Sequence, residues 1–252
     1  MDIHIKKNGD EVDRSAAVAV SRQVLRKPDC VLGLATGNTT EGLFRRMVEL
    51  HRELDLDYSR VTTFNLDEYV GLAPTDPISC RARVKQSLLQ GLNIRDENVF
   101  VPNGIARSLE QECKDYEASI RARGGIDLQI LSIGENGHIA FNEPGTAFET
   151  TMRVADIADT TIRAKAELFG SVDKVARQGI TMGIRNIMMA KRIMLVVKGS
   201  HKAKIAERAL FGAVTPNVPA SVLQLHPFVT VYMDEEAAAG QLSAFRKHAS
   251  AG

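Results

Sequence analysis

The sequence has few cysteines and almost no net charge. Three cysteines occur in 252 residues, Cys30, Cys80 and Cys113, and no Cys-x-x-Cys spacing suggests a disulfide framework or a zinc cluster. Lysine and arginine number 32 against 31 aspartate and glutamate residues, which gives a formal net charge of +1. This balance argues against a nucleic acid or an anionic membrane surface as a partner. Any bound anion must therefore be held by a local site.

Long apolar runs are absent as well. No stretch reaches the roughly 18 apolar residues of a transmembrane helix, and no apolar segment of a signal peptide follows the N-terminal charges. We therefore expect no membrane association and a cytoplasmic location. The composition, 44% hydrophobic and 25% charged, is that of a globular protein. Without repeats or a linker-like stretch, residues 1–252 are predicted to form one domain.

Short apolar runs alternate with longer helical patterns along the whole chain. The runs are continuous rather than alternating, which is typical of strands buried on both faces. The clearest predicted strands begin near residues 31, 61, 127, 179, 193 and 228. Their alternation with helices predicts a doubly wound α/β fold, in which helices flank a mainly parallel sheet in a Rossmann-like three-layer sandwich.

Polar loops follow several of these strands, at the sheet edge where such folds bind ligands. The loop of residues 36–40 lies between a strand and a helix, where backbone N–H groups and the helix dipole attract an anion. An ordinary glycine-containing turn explains the same residues. Lys202 lies at the start of another helix, an unfavourable place for a cation unless an anionic ligand is bound, although a solvated surface lysine is the commoner case.

The loop after the second predicted strand carries two acids, Asp67 and Glu68. Removal of a proton next to a carbonyl group needs a carboxylate on a rigid element that is partly shielded from water. Asp67 fits this description, because it is closer to the end of the strand. An aspartate that caps the next helix is an equal alternative.

The loop of residues 134–145 is the most informative. His138 can move protons near neutral pH, and Glu143 is close enough in sequence to orient its ring or to share its proton relay. A metal site would need another histidine or cysteine nearby, so we predict neither a metal nor a cofactor. A lone histidine is more often structural, but one flanked by Gly137, Asn142 and Glu143 at a strand end favours a functional site.

Four segments of the sequence resemble the glucosamine-6-phosphate deaminase family, which is related to the 6-phosphogluconolactonases. Their order and spacing match over essentially the whole chain. The stretch from His138 to Glu143 is the most specific, because the lactonases share the preceding glycine-rich loop but not the Phe-Asn-Glu-Pro continuation. The four segments are residues 33–37, 64–72, 137–144 and 199–203.

This resemblance implies a hexosamine-6-phosphate deaminase of amino-sugar catabolism, which converts glucosamine 6-phosphate to fructose 6-phosphate with loss of ammonia. It implies that His138, assisted by Glu143, opens the sugar ring, and that Asp67 moves the C2 proton to C1. The implied phosphate-binding residues are Thr36, Gly37, Asn38, Thr39 and Lys202. The expected partner is a small sugar phosphate, and a homo-oligomer is compatible with the family.

The sequence departs from the family pattern in the catalytic loops. Asn136 stands where many members carry a second acid. Because an amide accepts no proton, we expect Asn136 to orient His138 and the relay to depend on Glu143. Cys80 stands where a lid aromatic is common.

The phosphate site departs from the pattern too. Asn38 and Thr40 replace a small residue and a proline, and Glu167 stands where the family usually places a phosphate-binding arginine. A carboxylate there would repel a phosphate by roughly 1–4 kcal/mol at a few ångströms unless it points away, with Arg163 or Lys165 in compensation.

Two other functions remain open from the sequence. Glu167 motivates an isomerase or deaminase of a different amino sugar, either an epimer or an unphosphorylated one. A catalytically inactive sugar-phosphate sensor is the second, and the intact set of Asp67, His138 and Glu143 argues against it.

Overall fold

Strands and helices alternate along the chain in the computed structural model, which describes residues 1–239. The strands are β1 (Asp2–Lys6), β2 (Val31–Leu34), β3 (Thr62–Asn65), β4 (Asp67–Tyr69), β5 (Val99–Phe100), β6 (Leu128–Ser132), β7 (Arg153–Asp156), β8 (Gln178–Thr181), β9 (Ile193–Val197) and β10 (Val229–Asp234). The α-helices are α1 (Gly9–Arg26), α2 (Asn38–Leu54), α3 (Cys80–Ser87), α4 (Leu109–Ala122), α5 (Asp159–Phe169), α6 (Ile184–Met188) and α7 (Ala203–Phe211).

Seven strands form a central parallel sheet in the order β1, β10, β9, β6, β2, β3, β5. Adjacent residues of its inner strands point to opposite faces. In β9, Leu195 belongs to one apolar core, whereas Met194 and Val196 belong to the other. Helices α1 and α2 cover one face, and α4, α6 and α7 cover the opposite face. The predicted doubly wound α/β sandwich with a mainly parallel sheet is confirmed.

A second sheet of three antiparallel strands, in the order β4, β8, β7, lies beside the central one. Its strand β4 carries Asp67 and Glu68, residues that the sequence places in a loop. Two acids among three residues carry no strand signal, so only the pairing of Asp67 with Thr181 of β8 reveals the strand. The strand predicted near residue 179 exists as β8, but it belongs to this small sheet.

Strand β1 lies at one edge of the central sheet. Among the described residues it pairs with β10 alone, it is half exposed, and it has no counterpart among the predicted strands. Residues 240–252 of the predicted single domain lie outside the described residues, and the assignment of one domain stays a prediction. Among the helices that the structure describes, none has the length and apolar character required to cross a membrane.

Candidate active site

One cavity of about 690 Å³ lies at the carboxyl ends of β2, β3, β6 and β9. Parallel strands bring the loops that follow them to this one edge. Of the predicted site residues, only Glu143 does not line the cavity, and its carboxylate lies 3.4 Å from the ring of His138. The cavity wall includes Thr36, Gly37, Asn38, Thr39, Asp67, Asn136, His138 and Lys202.

The loop after β2 leaves the start of α2 open toward the cavity. Gly37 is the N-cap of this 17-residue helix, and no side chain caps its first turn. The hydroxyl of Thr40 donates to the carbonyl oxygen of Ala35 at 2.8 Å, so this side chain holds the loop in shape and stays out of the cavity. Uncapped N–H groups and the positive end of the helix dipole form an anion-binding surface.

Lys202 lies beside this helix start. Its Nζ donates to Thr39 Oγ1 at 2.9 Å, and the side chain is buried. Burial and, to a smaller extent, the neighbouring positive charge of Lys165 lower the pKa of Lys202 to about 8. A buried ammonium group without a carboxylate partner is costly, and a bound anion would stabilise it.

Two acids follow β3, and the structure gives them different tasks. Glu68 accepts hydrogen bonds from the backbone N–H groups of Cys80 and Arg81, at 2.9 Å each. These groups belong to the first turn of α3, so Glu68 is the carboxylate that satisfies a helix start. Asp67 has no capping role, and its carboxyl group lines the cavity.

Asp67 lines the cavity but is almost completely shielded from solvent. Only 8% of the residue is exposed. Within residues 1–239 its carboxyl group has one hydrogen bond, from the thiol of Cys80, which donates to Oδ1 at 3.6 Å. Burial raises the pKa of Asp67 from 3.8 to about 7, and the charge of Glu68 adds to this effect. A carboxylate with such a pKa is a stronger base than an ordinary aspartate, and near neutral pH a large share of it is ionised.

Asn136 orients the imidazole of His138. Asn136 Nδ2 donates to Glu143 Oε2 at 2.7 Å, and Oδ1 lies 2.7 Å from His138 Nδ1. Because the carboxylate of Glu143 can only accept, the amide orientation is determined, and Nδ1 must carry a proton. In the described residues no group hydrogen-bonds to Nε2, so the other nitrogen is free to exchange protons with a ligand.

Glu143 supplies a negative charge behind the ring. Burial alone would raise its pKa, but hydrogen bonds from His138, Thr161 and Asn136 lower it below the ordinary value. Glu143 is therefore ionised near neutral pH, and it lies 3.4 Å from His138 Nδ1. This charge stabilises the imidazolium that forms when Nε2 takes up a proton.

Gly134 makes room for the histidine ring. A Cβ atom at this position would lie 2.1 Å from Cε1 of His138, closer than any side chain could accept. The glycine at the end of β6 therefore allows the ring to fold back over its own loop. Among residues 1–239, no cluster of three or more histidine, cysteine, aspartate or glutamate side chains could hold a metal ion. Metal-free chemistry stays a prediction.

Comparison with known proteins identifies the family of this chain. Residues 8–232 match the family described as glucosamine-6-phosphate isomerases/6-phosphogluconolactonase. The chain belongs to this family. The family predicted from the four sequence segments is thereby confirmed.

Individual members of the glucosamine-6-phosphate isomerase family are similar over nearly the whole chain. The glucosamine-6-phosphate deaminase of Lachnoclostridium phytofermentans is 48% identical over 221 residues, which cover 88% of this chain and 94% of that protein. That of Thermoanaerobacter pseudethanolicus is 46% identical over 238 residues and 94% of each chain. The solved structure of a monomeric glucosamine-6-phosphate deaminase has a TM-score of 0.93 at 40% identity, covering 95% of this chain and 99% of that one.

A more distant solved structure shares the fold alone. The 6-phosphogluconolactonase of Trypanosoma brucei is 17% identical, with a TM-score of 0.77 over 94% of this chain and 97% of that one.

Two departures from the family pattern are explained by the structure. Glu167 on α5 is exposed and does not line the cavity, so it does not oppose an anion there. Lys165 does line it, since two residues along a helix are about 200° apart around the axis. Cys80 is the buried first residue of α3 and underlies Asp67.

Sequence reasoning missed some residues of this cavity. Arg83 and Thr161 line it but follow no motif, whereas Lys198 opens the polar stretch of residues 198–202 that follows a strand and precedes a helix. Arg83 Nη2 donates to Asn38 Oδ1 at 3.0 Å and forms an ion pair with Glu41 at 2.6 Å. The spacing of Thr161, Ala164 and Lys165 on one helical face was the one signal available for α5.

Proposed function

We propose that the protein is a glucosamine-6-phosphate deaminase, which converts glucosamine 6-phosphate and water to fructose 6-phosphate and ammonia. One observation carries this proposal. One cavity is lined by the buried Asp67, by His138 and by the uncapped start of α2. Among the described residues, Nε2 of His138 has no hydrogen-bond partner, and Lys202 beside the helix start has no carboxylate partner. Isomerisation of a phosphorylated amino sugar needs these three elements together.

The phosphate group would lie at the start of α2. Backbone N–H groups of the loop, the hydroxyl of Thr39 and the ammonium of Lys202 provide donors on adjoining sides. Asp67 and His138 lie in the loops after β3 and β6 and line the same cavity, where they face the sugar. Binding of the phosphate thus orients the reacting carbons toward the base.

His138 would open the sugar ring. Its Nε2 takes the proton of the anomeric hydroxyl group and passes it to the ring oxygen as the bond between C1 and that oxygen breaks. Asn136 keeps the other nitrogen protonated throughout, and Glu143 stabilises the transient imidazolium. The products of this step are the open-chain aldehyde and a neutral histidine.

Asp67 would then isomerise the open chain. It removes the C2 proton, and the electron pair left on C2 forms the C1–C2 double bond of an enolamine as the aldehyde oxygen takes up a proton. Return of the first proton to C1, with loss of a proton from the amino nitrogen to replace the one taken up by the oxygen, gives an imine at C2. Water adds to this carbon and ammonia leaves, so atoms and charges balance. The dry position of Asp67 retains the proton between the two transfers.

A substrate panel tests this assignment. Glucosamine 6-phosphate should be turned over, whereas unphosphorylated glucosamine should lose at least about 10³-fold in kcat/KM, because it cannot use the charged end of the cavity. Galactosamine 6-phosphate tests the C4 epimer. Equal activity with and without the phosphate group would overturn the assignment. The exposed position of Glu167 removes the observation that favoured a different sugar.

Lys202 should make substrate binding dependent on pH. In the free enzyme its pKa is lowered to about 8 by burial first, so the cationic form exists below this pH and is lost above it. We expect the KM for glucosamine 6-phosphate to rise as the pH passes about 8. Lys202→Met should raise KM about 10–100-fold at pH 7 and abolish this rise.

The exposed Lys204, two residues further on, provides the matched control. Lys204→Met should retain the KM of the unmodified enzyme and its dependence on pH. A KM for Lys202→Met that equals that of this control would contradict the role of Lys202.

The predicted homo-oligomer stays a prediction.

A further inference from the structure

The cavity is lined by more positive charge than the proposed reaction has so far used. Four lysine and arginine side chains line it: Arg83, Lys165, Lys198 and Lys202. Arg83 forms an ion pair with Glu41 at 2.6 Å, and Lys198 forms one with Asp13 at 2.8 Å. Neither Lys165 nor Lys202 forms an ion pair with any carboxylate of residues 1–239.

We propose that Lys165 is a second substrate-binding residue, which holds the phosphate group together with Lys202. Its positive charge extends the cationic part of the cavity wall from Lys202 toward Asp67. The inference rests on the proposed function and adds a residue to it. Lys165 lies on the cavity face of α5 together with Thr161 and Ala164. Helix α5 thus brings a second cation to the cavity that the start of α2 also lines.

The positive charge of Lys165 contributes to the lowered pKa of Lys202. Burial lowers the pKa of Lys165, and the charges of Arg83 and Lys202 surround the same space. Two unpaired cations that share a confined volume repel each other, and a phosphate dianion between them reverses this penalty. The other titratable groups near Lys165 are the thiol of Cys80 and the carboxyl groups of Asp67 and Glu41.

Arg83 has a different task from Lys165. Its Nη2 is occupied by Glu41 and by Asn38 Oδ1, both in the first turn of α2. Arg83 therefore braces the anion-binding helix start from α3. In the part of the chain that the structure describes, the ammonium of Lys165 has no hydrogen-bond or ion-pair partner, so its three donor hydrogens are available to a ligand.

Variants of Lys165 test the proposal through KM. Lys165→Met should raise the KM for glucosamine 6-phosphate about 10–100-fold and weaken competitive inhibition by inorganic phosphate by a similar factor. At the optimum pH, kcat should change by less than about 3-fold, because the base and the histidine remain. Lys165→Arg should retain a KM within about 5-fold of the unmodified enzyme.

The pH profile of kcat provides a second readout, which would not change if Lys165 had only a structural role. The positive charge of Lys165 lowers the pKa of Asp67, although burial is the larger influence. Its removal should shift the acidic limb of kcat toward alkaline pH by about 0.5–1 unit. The controls are Lys174→Met and Glu167→Gln, both at exposed positions outside the cavity. Neither should change KM or the position of the acidic limb of the kcat profile.

Failure of this inference differs from failure of the proposed function. If the unmodified enzyme releases no ammonia from glucosamine 6-phosphate, the proposed function fails. The role of Lys165 can still be tested, because the increase in unfolding temperature caused by inorganic phosphate can be measured for both Lys165→Met and the parent. If both bind phosphate equally, or if Lys165→Met keeps its KM, Lys165 is not a phosphate ligand. Lys165→Gln repeats the comparison should the methionine variant fail to fold.

Discussion

Asp67→Asn should reduce turnover of glucosamine 6-phosphate by at least about 10³-fold while the KM stays within a few-fold of the parent value. The amide keeps the shape of the side chain and can contact the sugar, but it accepts no proton from C2. A coupled assay for ammonia measures this loss. The exposed Asp173 is the matched control, and Asp173→Asn should keep full activity.

The same substitution should stabilise the protein at alkaline pH. Because burial raises the pKa of Asp67 from 3.8 to about 7, the folded state holds a proton that the unfolded chain releases between these values. The free energy of unfolding therefore falls as the pH rises through this window. Asparagine bears no charge, so the variant avoids this penalty. We expect it to be more stable by about 1–4 kcal/mol at pH 8, and by less at pH 5.

Denaturant unfolding at the two pH values checks this expectation. Loss of activity together with a gain in stability identifies a carboxylate whose burial destabilises the folded protein but is needed for catalysis. Retained turnover would refute the assignment of Asp67 as the base. An unchanged stability difference between pH 5 and pH 8 would refute its raised pKa.

His138→Gln should reduce turnover by about 10²–10³-fold, for a different reason. Glutamine can occupy the space beside Asn136, but it cannot carry a proton from the anomeric hydroxyl group to the ring oxygen. Ring opening should then become the slowest step. His4, exposed on the edge strand β1, is the matched control, and His4→Gln should leave turnover unchanged.

Substrate deuterated at C2 distinguishes this step from the next. A C–D bond slows only the transfer to Asp67, so the isotope effect on turnover should be smaller in His138→Gln than in the parent enzyme. An equal or larger isotope effect in the variant would show that His138 acts in proton transfer from C2. Turnover close to the parent value would remove His138 from the mechanism.

The fold could be predicted largely because its central strands are apolar on both faces. The run Ile193–Val197 of β9 has no polar residue and is buried throughout, so sequence and structure agree on its bounds. The small strand β4 escaped prediction, because its two acids are poor strand formers and only its partner β8 defines it. Short-range patterns contain no information about such a partner more than 100 residues away.

The candidate site was predictable in its loops but not in the roles of neighbouring acids. From the sequence, Asp67 suits a catalytic base and a helix cap equally well. In the structure Glu68 satisfies the helix start, and the N–H groups that donate to it belong to residues 12 and 13 positions further along the chain. Lys165 and Glu167 present a similar problem. Which of them faces the cavity depends on the rotation of α5 against the sheet, and this packing follows from the whole fold.

The most direct test of the account measures both products from the purified protein. Glucosamine 6-phosphate should yield ammonia and fructose 6-phosphate in equal amounts, with no added metal or cofactor, and Asp67→Asn should abolish both products together. Absence of ammonia from both glucosamine 6-phosphate and galactosamine 6-phosphate, with a folded protein that binds phosphate, would contradict the account.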